Sequence, residues 1–230
     1  MATIEEILRI NQYIYRNPGA SLPNNQFQSF QNSNDGTIFP NPPTNGFYAE
    51  TISAPDGSLL VTFRGTDELN DWDDNIQIGL GDPPDQGAQA TQYLAQVIKD
   101  NPDVPIHVTG HSLGGNLAAH AIKEVLKDPD VQIDPDNLTG SAVNAPGIGS
   151  NVTRSESFVN IISDADMVSH VGGAQSGATT ITLPVDMLYE PTQDEIDMAE
   201  GDPESTRDLE HESTPSLTGG HNLDRAIEAA

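Results

Sequence analysis

The chain contains no cysteine. That excludes a disulfide framework, a thiolate nucleophile and a cysteine-ligated metal centre. Positive charge is scarce as well: Lys and Arg number 9 against 35 Asp and Glu, a formal net charge of −26. So acidic a chain repels the phosphate backbone, which argues against nucleic acid as a partner, and it is repelled by anionic membrane surfaces. No stretch reaches the roughly 18 consecutive apolar residues of a membrane-spanning helix, so no transmembrane segment is expected. The first ten residues carry neither a basic cluster nor a continuous apolar core. They read as an amphipathic helix running to about Arg16 rather than as a signal peptide. The expected location is therefore the cytoplasm, or the exterior by a route that uses no N-terminal signal.

What is present fits a single α/β domain spanning residues 1–230, long enough to bury a full core. Residues 17–47 are rich in Asn, Pro, Gly, Ser and Gln and read as a long surface loop. Residues 47–52 and 58–63 flank Pro55-Asp56-Gly57, a hairpin with a clear turn signal. Ala90, Tyr93, Leu94, Val97 and Ile98 recur at helical spacing within residues 86–99. A strand over 104–109 and a helix over 116–127 follow, then β-compatible runs near 138–145, 157–162 and 179–183. Alternating strands and helices predict a mostly parallel central sheet flanked by helices. Residues 184–220 read as an acidic loop, with Met187-Leu188-Tyr189 as its apolar exception, and Leu223 to Ala230 as a short terminal helix.

The chemistry centres on Gly110-His111-Ser112-Leu113-Gly114-Gly115, between the predicted strand at 104–109 and the helix at 116–127. A serine between glycines at a strand-to-helix turn is the nucleophile elbow of α/β-hydrolases. The turn lifts the hydroxyl clear of the sheet, and the helix N-terminus favours developing negative charge. A serine hydroxyl needs a base to take its proton, usually a histidine oriented by a carboxylate. In this fold class the chain order is serine, acid, histidine. Asp164 and Asp166, just after the run Phe158 to Ile162, both suit the acid, and spacing alone does not separate them. His107, His111 and His120 precede the acid and fail the order; His107 reads as a strand residue and His120 as a helix-face residue. His170 leaves too little chain after the acid. His221, after Gly219-Gly220 and before a terminal helix, is the favoured base, with His211 as the alternative. The oxyanion needs two donors. The backbone amide of Leu113 supplies one, and Thr66, at the end of Val61-Thr62-Phe63-Arg64-Gly65, the other. Arg64 reads as an ion-paired anchor of that loop.

Taken together, these segments resemble the class 3, fungal-lipase-like family of the α/β-hydrolase superfamily. The residues that carry the resemblance are Val61-Thr62-Phe63-Arg64-Gly65-Thr66 with Asp71-Trp72 beyond, Val108 to Ala118 around the elbow, Asn144-Ala145-Pro146-Gly147, and Asp166-Met167-Val168. The resemblance implies an Asp-x-Val acid, which selects Asp166 over Asp164, and an oxyanion residue after Arg-Gly, which is Thr66. It also implies a base in a late loop, consistent with His221. Asp67 to Gly81, where such lipases carry an amphipathic lid helix, is acidic here. The implied activity is that of a serine carboxylic-ester hydrolase, a lipase or esterase on acylglycerols or short-to-medium acyl esters, with no cofactor and a peripheral contact to a lipid interface. Two alternatives stand beside it. One is a phospholipase on the same scaffold. The other is a non-catalytic acidic domain that holds calcium at Asp71/Asp73/Asp74 or at Asp128/Asp130/Asp134/Asp136.

Overall fold

The computed structural model describes residues 2–16, 22, 26–65, 84–146, 157–163 and 178–183. Helix α1 spans Ile4–Arg16. Strands β1 (Gln28–Asn32), β2 (Ala49–Ser53) and β3 (Leu59–Phe63) follow. Helix α2 (Pro84–Asp100), strand β4 (Ile106–His111) and helix α3 (Leu113–Val125) come next. A 3-10 turn at Pro135–Asn137 leads into β5 (Leu138–Val143), then β6 (Phe158–Ser163) and β7 (Thr179–Leu183). The seven strands form one sheet in sequence order. β1, β2 and β3 pair antiparallel, and β3 through β7 run parallel. This is an α/β-hydrolase fold, a mostly parallel sheet flanked by helices.

The arrangement of helices follows from handedness. Right-handed crossovers that always step the same way along a sheet place their helices on one face. Accordingly, α2 and α3 both cover the face formed by Val61, Phe63, Ile106, Val108, Leu138, Ala142 and Phe158. Tyr93, Leu94, Ile98 and Leu117 of these helices are fully buried there. Each such side chain contributes about 1.5–3 kcal/mol. β3 is buried along its whole length, as expected of a central strand covered on both sides.

Helix α1 covers the opposite face. Its N-terminus is closed by a reciprocal pair: the Thr3 amide donates to Glu6 Oε2 (2.8 Å) and the Glu6 amide to Thr3 Oγ1 (3.2 Å). Ile7 and Leu8 pack on Val143, Ile161 and Leu183, while Ile10 and Tyr13 pack on Ile52 and Leu60. Beneath the helix runs a buried polar chain. Asn11 Nδ2 donates to Thr109 Oγ1 (3.0 Å), Ser141 Oγ donates to Thr109 Oγ1 (2.9 Å), and the two ring nitrogens of His107 meet Thr139 Oγ1 and Ser141 Oγ at 2.9 Å each.

Burial holds the His107 imidazole down at about 4, against an ordinary value of 6.5. The unfolded chain therefore binds a proton between pH 6.5 and 4 that the folded chain refuses, so stability falls as pH falls through that window. The full effect is on the order of 3 kcal/mol. His107→Gln is expected to flatten the stability–pH slope between pH 6.5 and 4 relative to the parent. Urea melts at several pH values measure it, and equal slopes in the two proteins would show that His107 does not stay neutral on folding.

One strand was not expected. β1 lies inside the segment read as a loop, because Gln28 to Asn32 is polar and exposed and gives no apolar alternation. Its Phe30 side chain is 53% exposed. Backbone pairing to β2, with a register break between Ser29 and Gln31, holds it in place as an edge strand. The expected acidic loop over 184–220 and terminal helix over 223–230 lie outside the described residues. Among the described residues no helix is long and apolar enough to cross a membrane.

Candidate active site

Parallel strands put their carboxyl ends on one rim, the edge where open α/β sheets bind ligands. β3, β4, β5 and β6 all end there. At the end of β4 a single residue, Ser112, separates strand from helix. Its backbone sits at φ 55°, ψ −127°, a conformation sparsely populated by any residue with a Cβ. Two hydrogen bonds and two close approaches hold it. The Ser112 amide donates to the Val143 carbonyl of β5 at 2.9 Å, and the Gly115 amide donates to the Ser112 carbonyl at 2.9 Å. A Cβ on Gly110 would overlap the Gly114 carbonyl, and one on Gly114 would overlap the Phe63 carbonyl. The turn is thus locked between two strands and its own helix, with no room for larger residues at its flanks.

Ser112 and Leu113 are both half-buried. The Leu113 amide opens α3, where amides have no intrahelical acceptor and the helix dipole is positive. Helix N-termini favour nearby negative charge.

The next strands are tied to the elbow in register. Asn144 follows β5 in a left-handed conformation, φ 44°. Its amide donates to the Ile161 carbonyl and its Oδ1 accepts from the Ser163 amide, each at 2.9 Å. Asn144 therefore fixes the carboxyl end of β6, from which the sequence runs directly into Asp164 and Asp166.

Of the site residues expected from sequence, the structure describes Ser112 and Leu113. Thr66, Asp166 and His221 lie outside the described residues, as do the alternatives Asp164, His170 and His211. The three earlier histidines are placed. His107 sits in the sheet between hydroxyls. His111 is buried with its ring edge-on to Tyr15, centroids 5.4 Å apart. His120 lies on the outer side of α3, in a recess of about 530 Å³ between α2 and α3 that Lys99, Glu124 and Asp128 also line. Arg64 stacks its guanidinium on the Tyr48 ring, 5.1 Å from the centroid.

Two of the four acids at Asp128/Asp130/Asp134/Asp136 accept backbone amides of their own loop. Asp128 accepts the Asp130 amide (2.9 Å) and Asp134 the Asp136 amide (3.0 Å), so both carboxylates close turns. Among the described residues no three acidic or histidine side chains converge as metal ligands. Asp71, Asp73 and Asp74 lie outside the described residues.

Tyr15 is the residue that sequence reasoning missed. It stands in the last turn of α1 and meets the elbow from the far side of the sheet. The Gly65 amide donates to its hydroxyl at 2.8 Å, and the hydroxyl donates to the His111 carbonyl at 3.3 Å. Its only signal in the sequence is an aromatic residue near the end of an amphipathic helix.

Comparison with known proteins agrees with this fold. The chain is similar to the native lipase–propeptide complex of Rhizomucor miehei at a TM-score of 0.57 and 16% identity, over 79% of this chain and 70% of that one. It is also similar to the nonglycosylated LIP2 lipase of Yarrowia lipolytica, at a TM-score of 0.52 and 16% identity, over 82% of this chain and 80% of that one. No curated protein sequence matches it. At such identities the likeness shows a shared fold. The family model that matches is described as Mbeg1-like and covers residues 24–171, a span that holds Thr66, Ser112 and Asp166 and stops short of His221. The chain belongs to the Mbeg1-like family.

Proposed function

We propose that this chain is a serine carboxylic-ester hydrolase working through an acyl-enzyme. The observation that carries the reading is Ser112 held at φ 55° between a strand and a helix N-terminus. A fold maintains so strained a residue only where surrounding contacts over-determine it, and such positions cluster at sites of chemistry. Ser112 Oγ attacks the ester carbonyl. His221 takes its proton, protonates the leaving alkoxide and later activates water. Asp166 holds the imidazole tautomer and stabilises the imidazolium. The amide of Leu113 and the amide and hydroxyl of Thr66 receive the oxyanion. The substrates are acylglycerols or short-to-medium acyl esters. A negative surface disfavours anionic lipid headgroups, which places phospholipids second.

The test is hydrolysis of p-nitrophenyl esters across acyl lengths. Turnover with a chain-length optimum is expected, and the optimum separates an esterase from a lipase. No turnover at any length, together with no labelling of Ser112 by a fluorophosphonate, would remove the reading.

A further inference from the structure

We propose that the Tyr15 hydroxyl is a positioning group that sets the oxyanion side of the site against the nucleophile elbow. The inference rests on the hydrolase reading above. In that reading Ser112 and one oxyanion donor, the Leu113 amide, follow β4, whereas the other donor, Thr66, follows β3 in the sequence. Their separation must be held to a fraction of an ångström for the donors to meet the charge as it develops. Pairing of β3 with β4 ends at Phe63 opposite Gly110. On the β2 side the Arg64 amide still donates to the Tyr48 carbonyl (3.0 Å), and Gly65 is the next residue beyond.

Tyr15 takes over at that point. Its single oxygen accepts the Gly65 amide (2.8 Å) and donates to the His111 carbonyl (3.3 Å), bridging Gly65, two residues past the end of β3, to the residue before Ser112 at the end of β4. The approach is tight. A Cβ on Gly65 would overlap the Tyr15 hydroxyl and come within 2.9 Å of the His111 carbonyl oxygen. The bridge also engages the Gly65 amide, turning that donor toward α1. The Tyr15 ring itself is fixed edge-on against His111. Tyr15 therefore ties three elements together where pairing of β3 with β4 has stopped: α1, the end of β3, and the elbow.

The decisive comparison is among the parent, Tyr15→Phe and Tyr15→Ala, with kcat expressed per fluorophosphonate-titratable serine so that only folded, competent molecules count. Tyr15→Phe keeps the ring and removes the bridge. It is expected to lower kcat about tenfold with KM within about twofold, and to weaken an alkylboronic acid, which forms a tetrahedral adduct, by the same factor as kcat. Tyr15→Ala is expected to be no better. An unchanged kcat in Tyr15→Phe, or a change confined to KM, overturns the proposal while leaving the hydrolase reading intact. A parent inactive on every ester removes both. A measurement independent of any variant is amide exchange at Gly65 in the parent protein. Protection is expected, and exchange at the rate of a free amide overturns the bridge.

Discussion

Ser112→Ala is expected to lower ester hydrolysis by about 10⁴-fold or more, because without the nucleophile only substrate binding and the oxyanion donors remain. Its stability should match the parent, since alanine occupies the same backbone and the Ser112 amide keeps its bond to the Val143 carbonyl. Ser112→Gly separates the two roles of the position. It is equally inactive, but glycine adopts φ 55°, ψ −127° without the steric cost a Cβ brings. Relief of about 1–3 kcal/mol of strain, less the greater freedom of glycine in the unfolded chain, leaves a net gain of about 1 kcal/mol. For a domain of this size that is a rise of about 2–4 °C in Tm. Measured side by side, activity and melting should therefore move in opposite directions for Ser112→Gly. A glycine variant less stable than the alanine variant would mean that the serine conformation carries no strain.

Gly110→Ala is expected to have the largest effect on stability. The added methyl meets the Gly114 carbonyl, and its next neighbour is the Gly115 amide at 2.7 Å, so both obstacles are backbone rather than the tip of a yielding side chain. Relief requires α3 to move off the sheet. Leu117, Ala118 and Ala121 of that helix are fully buried in the main core, so the shift opens packing well beyond the turn. A loss of more than about 4 kcal/mol follows, a large share of the 5–15 kcal/mol that holds a domain together. Urea denaturation reads it directly. A loss under about 1 kcal/mol would show that the turn relaxes without moving the helix, and the tightness ascribed to the elbow would be wrong.

Where the sequence was legible, its pattern and the packing agreed. The helices and central strands carry their apolar residues at the period of the element they form, and β7 was read at the residues it occupies, Thr179–Leu183. The elbow was found, yet its boundaries were displaced. Strand β4 was expected to end at 109 and α3 to begin at 116, with the glycine-flanked serine turn filling the residues between. In the fold Gly110 and His111 finish the strand and Leu113 starts the helix. Gly110, Gly114 and Gly115 are there for close approach, a tertiary demand that local propensity does not contain. β1 was missed for the converse reason: it is held by backbone pairing and presents little to the core. Tyr15 was missed because nothing in a helical pattern says which residues lie across the sheet from its last turn. Ser112 was legible because strand, turn and helix announce it locally, whereas the acid and the base rest on chain order and resemblance.

The strands enter the sheet in the order in which they are synthesised. Each new strand finds its partner already beside it, and the cost of closing long loops stays small at every step. Helix α1 is the exception. Emerging before every strand of the sheet, it must wait for residues nearly a hundred positions later, since Asn11 bonds to Thr109 and Tyr15 to His111. The serine waits too, because the carbonyl that anchors its amide belongs to Val143. A nascent chain that has just exposed Ser112 thus lacks the strained turn that the proposed nucleophile occupies in the finished fold. Assembly itself acts as a delay, and that turn is set only after the strands on both sides of it are in place.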